Sequence, residues 1–184
     1  NPSDMDSIKF GTSGWRGIIA RDFTFANVAL VAQAIADYFK SELKRKKSEI
    51  KGRRPIVVLG HDARFMGPEF ATTVGEVLSK NGLIPLLCER DAPTPVIAHA
   101  IRVRKAIGGI NMTASHNPAE YQGLKFSTHR GAPAPQDVTG KIEKNIEKLQ
   151  NRGWAWKVSD PGAFKCKTID PRDSYFKQVR SIID

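Results

Sequence analysis

The feature that most constrains this chain is an alternation. Short β-branched or apolar runs closed by turn residues are each followed by a longer segment whose apolar positions recur at helical spacing. Pro55-Ile56-Val57-Val58-Leu59-Gly60 reads as a buried strand. From Asn27 to about Lys47, Val28, Val31, Ala32, Ile35, Ala36 and Phe39 share one helical face. Phe70, Val74, Val77 and Leu78 define a second helix, which Pro68 can open and Gly82 can close. Leu83 to Cys88 reads as a strand, and its Pro85 points to a sheet edge or an irregular start. A third helix is expected over Pro95 to Arg104, strands over Ala106 to Met112 and Leu124 to Ser127, and a fourth helix from Gln136 to Arg152, stopped by Gly153. The pattern predicts an α/β fold: a layered α/β/α domain with a small, mostly parallel (mixed) sheet between helices.

The domain is expected over residues 8–152, after a start (residues 1–7) that reads as a disordered end or a remnant outside the fold. The short apolar pieces Ile8 to Phe10 and Ile18-Ile19 flank a Gly-rich loop. Residues 153–184 differ in composition, with Trp154, Trp156, Pro161, Pro171 and a helix candidate from Arg172. They are too few to bury a core of their own and read as a linker and the incomplete start of a second domain. The helix candidate carries no stop signal, which favours truncation.

No apolar run reaches the roughly 18 residues of a membrane span, and the start lacks the basic and apolar regions of a signal peptide. A cytoplasmic protein without a membrane partner is expected. Cys88 and Cys166 show neither metal-ligand spacing nor a disulfide framework. The net charge of +10 raises the question of nucleic acid. The densest basic run, Lys44 to Lys47 with Lys51, Arg53 and Arg54, follows a helix, where cations suit the negative end of the dipole. Zinc-finger spacing and RNP-like aromatics are missing, so nucleic acid is disfavoured, while an anionic small substrate would gain from the positive potential.

Chemistry concentrates in four blocks. Thr113-Ala114-Ser115-His116-Asn117-Pro118 follows the strand ending at Met112, and ligands of α/β sheets bind at strand carboxyl ends. The flanks are not Gly-x-Ser-x-Gly, so a nucleophile elbow is unsupported. Adjacency alone does not pair His116 with Ser115, and Asn117-Pro118 initiates a turn. Gly11-Thr12-Ser13-Gly14-Trp15-Arg16-Gly17 combines small residues, hydroxyls and an arginine that can fork onto phosphate. Gly60-His61-Asp62-Ala63-Arg64 also follows a strand; an Asp–Arg pair there can brace a turn or serve a site. Ala92-Pro93-Thr94-Pro95 caps the next helix.

Together and in their order along the chain, the four blocks resemble the α-D-phosphohexomutases, in the phosphoglucomutase/phosphomannomutase branch. The resemblance spans Ile8 to Arg152, the N-terminal domain of that family. It implies that Ser115 carries a phosphoryl group, passes it to a hexose monophosphate, and recovers the sugar's other phosphate by way of a hexose 1,6-bisphosphate, so that hexose 1-phosphate and hexose 6-phosphate interconvert. It further implies Mg²⁺ on a phosphoserine oxygen of Ser115, proton transfer by Lys125, a supporting role for His116, and substrate contacts from Thr12 and Arg16. Gln122 and His61 depart locally from the family pattern. The family builds its cleft from four domains, and the Asp-Gly-Asp-x-Asp-Arg metal loop is not in this sequence. The other Mg²⁺ ligands and most substrate contacts would therefore come from remaining domains of a parent chain, and this chain is expected to be inactive alone. The competing expectation is a stand-alone module that binds a phosphosugar or a partner protein.

Overall fold

The computed structural model describes residues 8–11, 14–156 and 164–183. In chain order its elements are β1 (Gly14–Ile18), α1 (Phe25–Lys44), β2 (Ile56–His61), α2 (Gly67–Lys80), β3 (Ile84–Cys88), α3 (Thr94–Val103), β4 (Gly108–Met112), β5 (Tyr121–Thr128), α4 (Gln136–Asn151), β6 (Lys167–Ile169) and α5 (Arg172–Ile183).

Local chemistry sets most of the boundaries. Thr24 starts α1, its hydroxyl accepting the Asn27 N–H at 3.2 Å. At the other end Arg45 leaves the helical region and pairs with Glu42, which answers the carbonyl end of the dipole. Gly82, at φ +77°, follows α2 as expected. α3 starts within the block expected to cap it: Pro93 occupies the cap position with no side-chain hydrogen bond, so proline geometry begins the helix.

The strands form one mixed sheet in the order β1-β5-β4-β2-β3-β6. β2 runs parallel to β3 and β4, β3 parallel to β6, and β5 antiparallel to both β4 and β1. Alternation sorts the side chains between two faces. On one, Val57, Leu59, Ile110, Met112, Leu124 and Phe126 pack against α1, α2 and α4 in the main core. There Phe23 stacks on Trp15 (4.5 Å between centroids) and meets Phe70 edge-on (5.0 Å), which ties β1 to α2. On the other face, Ile56 and Val58 pack against Val96, Ile97, Ala100 and Ile101 of α3. Residues Ser174 and Tyr175 of α5 reach α3 through His99. The result is the expected α/β/α layering, with α3 over the middle of its face. Among the described residues no helix is long and apolar enough to cross a membrane.

Two expectations need correction. The glycines after Gly11 do not form an open loop: Gly14–Ile18 is a strand paired with β5. Gly14 is required by close approach, because a Cβ there would lie 2.2 Å from the Leu124 carbonyl oxygen. Of the two readings of Pro85, the sheet edge is excluded, since β6 pairs outside β3, and the irregular start holds. That ladder begins at Leu86–Lys167, one residue beyond Pro85, so the missing N–H costs no ladder bond there.

Candidate active site

The chain leaves β4 at Met112 and turns over the carboxyl end of the sheet. The Thr113 N–H donates to the Gly123 carbonyl (2.8 Å), which roots the turn on β5. Two residues on, Ser115 has φ +60° and is solvent-exposed. Left-handed backbone costs an L-residue about 1–2 kcal/mol, so surrounding bonds must hold it. One is local: the Ser115 N–H donates to Thr113 Oγ1 at 3.0 Å. Asn117 N–H to Ala114 O (3.2 Å) and Tyr121 N–H to Pro118 O (3.1 Å) close the next two turns.

The larger restraint comes from across the sheet. Arg64, in the connection after β2, lays its guanidinium among the carbonyls of the serine turn. Its Nη1 donates to Pro118 O (2.7 Å) and Tyr121 O (2.9 Å), and its Nη2 to Ser115 O (3.1 Å) and Asn117 O (2.5 Å). Asp62 aims the fork, with Oδ2 at 3.4 Å from Arg64 Nε and Oδ1 accepting the Arg64 N–H at 3.0 Å. The Asp–Arg pair thus braces a turn, and the turn it braces is the one carrying Ser115. Gln122 adds a tie, its Nε2 donating to Phe65 O at 3.2 Å.

Arg16, expected to face a ligand, projects from β1 and donates from Nη1 to Asn117 Oδ1 at 3.0 Å. Asn117 is therefore held by two arginines, through its backbone oxygen and its side-chain oxygen. Lys125 stands opposite Gly14 on one side and Asn111 on the other. By register Gly14, Arg16, Gly123, Lys125 and Asn111 share the α3-side face of the sheet. Lys125 is half-buried and Arg16 exposed. Asn111 is buried, and its Oδ1 has no hydrogen-bond partner among the described residues. His116 is exposed beside Ser115, and Thr12 lies outside the described residues.

The arrangement offers an outward-facing hydroxyl on a backbone locked in place, with Arg16 and Arg64 at the turn and Lys125 on the adjoining face. Such surroundings favour a group that gains negative charge. Sequence reading singled out Ser115 and Arg16, and the family resemblance Lys125, but it left Arg64 undecided and did not single out Asn111. The signal for Arg64 was the parallel neighbourhood of β2 and β4, which brings the two post-strand turns side by side.

The chain matches the family model described as phosphoglucomutase/phosphomannomutase, alpha/beta/alpha domain I, over residues 7–153. It is 32% identical over 195 residues to phosphoglucomutase 1, chloroplastic, of Marchantia polymorpha, covering 98% of this chain and 28% of that protein. Phosphoglucosamine mutase of Bordetella pertussis is 30% identical over 185 residues, covering 95% of this chain and 41% of that protein. A solved structure from Thermus thermophilus, assigned as a phosphomannomutase, superposes with a TM-score of 0.79 at 34% identity, over 97% of this chain and 36% of the other. The chain spans about a third of the length of the first curated relatives it matches, 32% and 28%.

Proposed function

The chain belongs to the phosphoglucomutase/phosphomannomutase family, whose domain I it matches, and on that premise we propose that Ser115 is the phosphoryl-carrying residue of a hexose-phosphate mutase. The observation that carries the reading is the clasped serine: an exposed hydroxyl at φ +60° whose turn is held by four hydrogen bonds from one guanidinium. Phosphoryl transfer asks for positioning and charge stabilisation more than for covalent help, and a fixed, outward hydroxyl near arginines supplies both.

In this reading phosphoserine 115 donates to a free hydroxyl of a hexose monophosphate. The serine oxygen–phosphorus bond breaks as the sugar oxygen–phosphorus bond forms, giving the 1,6-bisphosphate. After the sugar turns over, its other phosphate returns to Ser115. Lys125, on the adjoining face, is assigned the proton of the sugar hydroxyl. Arg16 would exchange Asn117 Oδ1 for a phosphate oxygen, a stronger charge-assisted partner. His116 is exposed beside the serine and keeps a supporting role, and Thr12 that of a substrate contact. Mg²⁺ is the cation the reading calls for, spreading charge on the transferred group. Among the described residues no group of three His, Cys, Asp or Glu side chains is placed to hold a metal. This chain would contribute only the phosphoserine oxygen, and no step above runs through the ion. The sugar's remaining contacts belong to further domains of a parent chain.

The test is a coupled mutase assay on the parent protein with and without Ser115→Ala. A loss of about a thousandfold or more in kcat is expected, because in this reading Ser115 holds the phosphoryl between half-reactions. Mass spectrometry of the wild-type Ser115 peptide should show one added phosphate. A variant that keeps more than about a tenth of the activity would sink the assignment. The 184-residue chain alone is expected to give no turnover.

A further inference from the structure

At the end of the sheet where β2 and β4 begin, opposite the serine turn, one open groove of about 830 Å³ is lined by Arg53, Arg102, Lys105, His129 and Arg130. Every lining residue is basic. They arrive from three separate segments: the α1–β2 connection, the last turn of α3 with the residue after its cap, and the turn after β5.

The walls are fixed by the backbone. Lys105 has φ +52° and its N–H donates to Arg102 O at 3.1 Å. The turn after β5 is closed by Thr128 N–H to Ala132 O and Gly131 N–H to Thr128 O, both 2.9 Å. It is pressed onto α3, since a Cβ on Gly131 would lie 2.7 Å from the Ala98 carbonyl oxygen. Glu49 holds Arg130 at 2.8 Å and His129 at 3.1 Å. No carboxylate among the described residues pairs with Arg53, Arg102 or Lys105. The crowding shows on His129, which burial first, and then the charges of Arg53 and Arg130, hold below the usual imidazole range against the pull of Glu49.

We infer that this groove is an anion site for a small polyphosphate, a ligand with two or more linked phosphate groups. Three cations without a carboxylate partner, on walls whose backbone is fixed, are stabilised by a ligand carrying several negative charges. No aromatic side chain lines the groove except the half-buried His129, so a nucleic-acid strand would find charge without stacking platforms. β4 alone separates the two ends by roughly 13 Å at ~3.3 Å per residue, so one phosphate cannot serve both sites.

The experiment is isothermal titration of the chain with sodium tripolyphosphate at low ionic strength. Parallel titrations use inorganic phosphate and a single-stranded oligonucleotide of matched charge. Saturable tripolyphosphate binding is expected, weakened about tenfold or more by the double variant Arg102→Gln/Lys105→Gln. Removing the same charge in Lys46→Gln/Lys47→Gln should leave Kd within about twofold. Circular dichroism confirms that both variants are folded. Three results would each overturn the site: no binding to the wild type, equal weakening by both double variants, or tighter binding of the oligonucleotide than of tripolyphosphate.

Discussion

Arg64 and Arg102 lie towards opposite ends of one sheet and carry the same charge, yet the protein uses them in opposite ways. Arg64 keeps 16% of its side chain exposed and gives its donors to the Ser115, Asn117, Pro118 and Tyr121 carbonyls. Arg102 is exposed and has no carboxylate partner among the described residues. A guanidinium is a rigid fork, so where several carbonyls converge it acts as a structural clamp; where none do, its charge remains available to a ligand. Net charge therefore does not identify the functional cations. Local hydrogen bonding does.

The largest way to break this comparison is Arg64→Ala. It leaves four carbonyls to water and releases the strained Ser115 backbone, so urea unfolding should show a loss of about 2–3 kcal/mol, whereas Arg102→Gln should stay within about 0.5 kcal/mol. Equal, small losses would mean that the clamp is decorative. An effect of comparable size sharpens the contrast between the walls of the far groove and an open turn. Gly131→Ala should cost about 2–3 kcal/mol in thermal unfolding, from left-handed strain plus collision with Ala98 O. Gly52, at φ +76° with nothing within 4 Å of a built Cβ, should lose about 1 kcal/mol as Gly52→Ala. Identical losses would show that the turn does not press on α3.

The smallest effect is a titration. Tyr38 lies in a second cavity at the far end, of about 540 Å³, which shares His129 and Arg130 with the groove. Burial first, and then Glu42 and Asp137, push its phenol up to about 12 from an ordinary 10.0. A raised folded-state value favours the neutral phenol. Its contribution is complete below the unfolded value and disappears as pH climbs from 10 towards 12. Ultraviolet titration should show a tyrosine step at about 12 that Tyr38→Phe removes, and denaturation at rising pH should show stability falling across that window. A titration curve that Tyr38→Phe leaves unchanged at about pH 12 would remove the burial argument.

Much of the layer order was legible in sequence because each helix declares itself locally. α1 and α4 showed their buried stripes, and Gly82 and Gly153 stood just past helix ends with positive φ. Ser115 was legible as the residue after a strand's carboxyl end. What escaped depended on distant partners. β1 hides in a glycine run because its strand character comes from β5, far along the chain. β6 is three residues long and exists as a strand only beside β3, which is why Pro85 read as an edge signal.

By itself the sequence determined the periods: which segments can be helix, which can be strand, and that a polar Ser-His-Asn-Pro turn follows β4. Those follow from side-chain spacing and from the limited dihedrals of glycine and proline. Only the tertiary structure decided that Arg64 clamps Ser115, that Arg16 rests on Asn117, and that Arg53, Arg102 and Arg130 share a groove. Strand order and packing bring such residues together, and no local property of the chain encodes the distance between them.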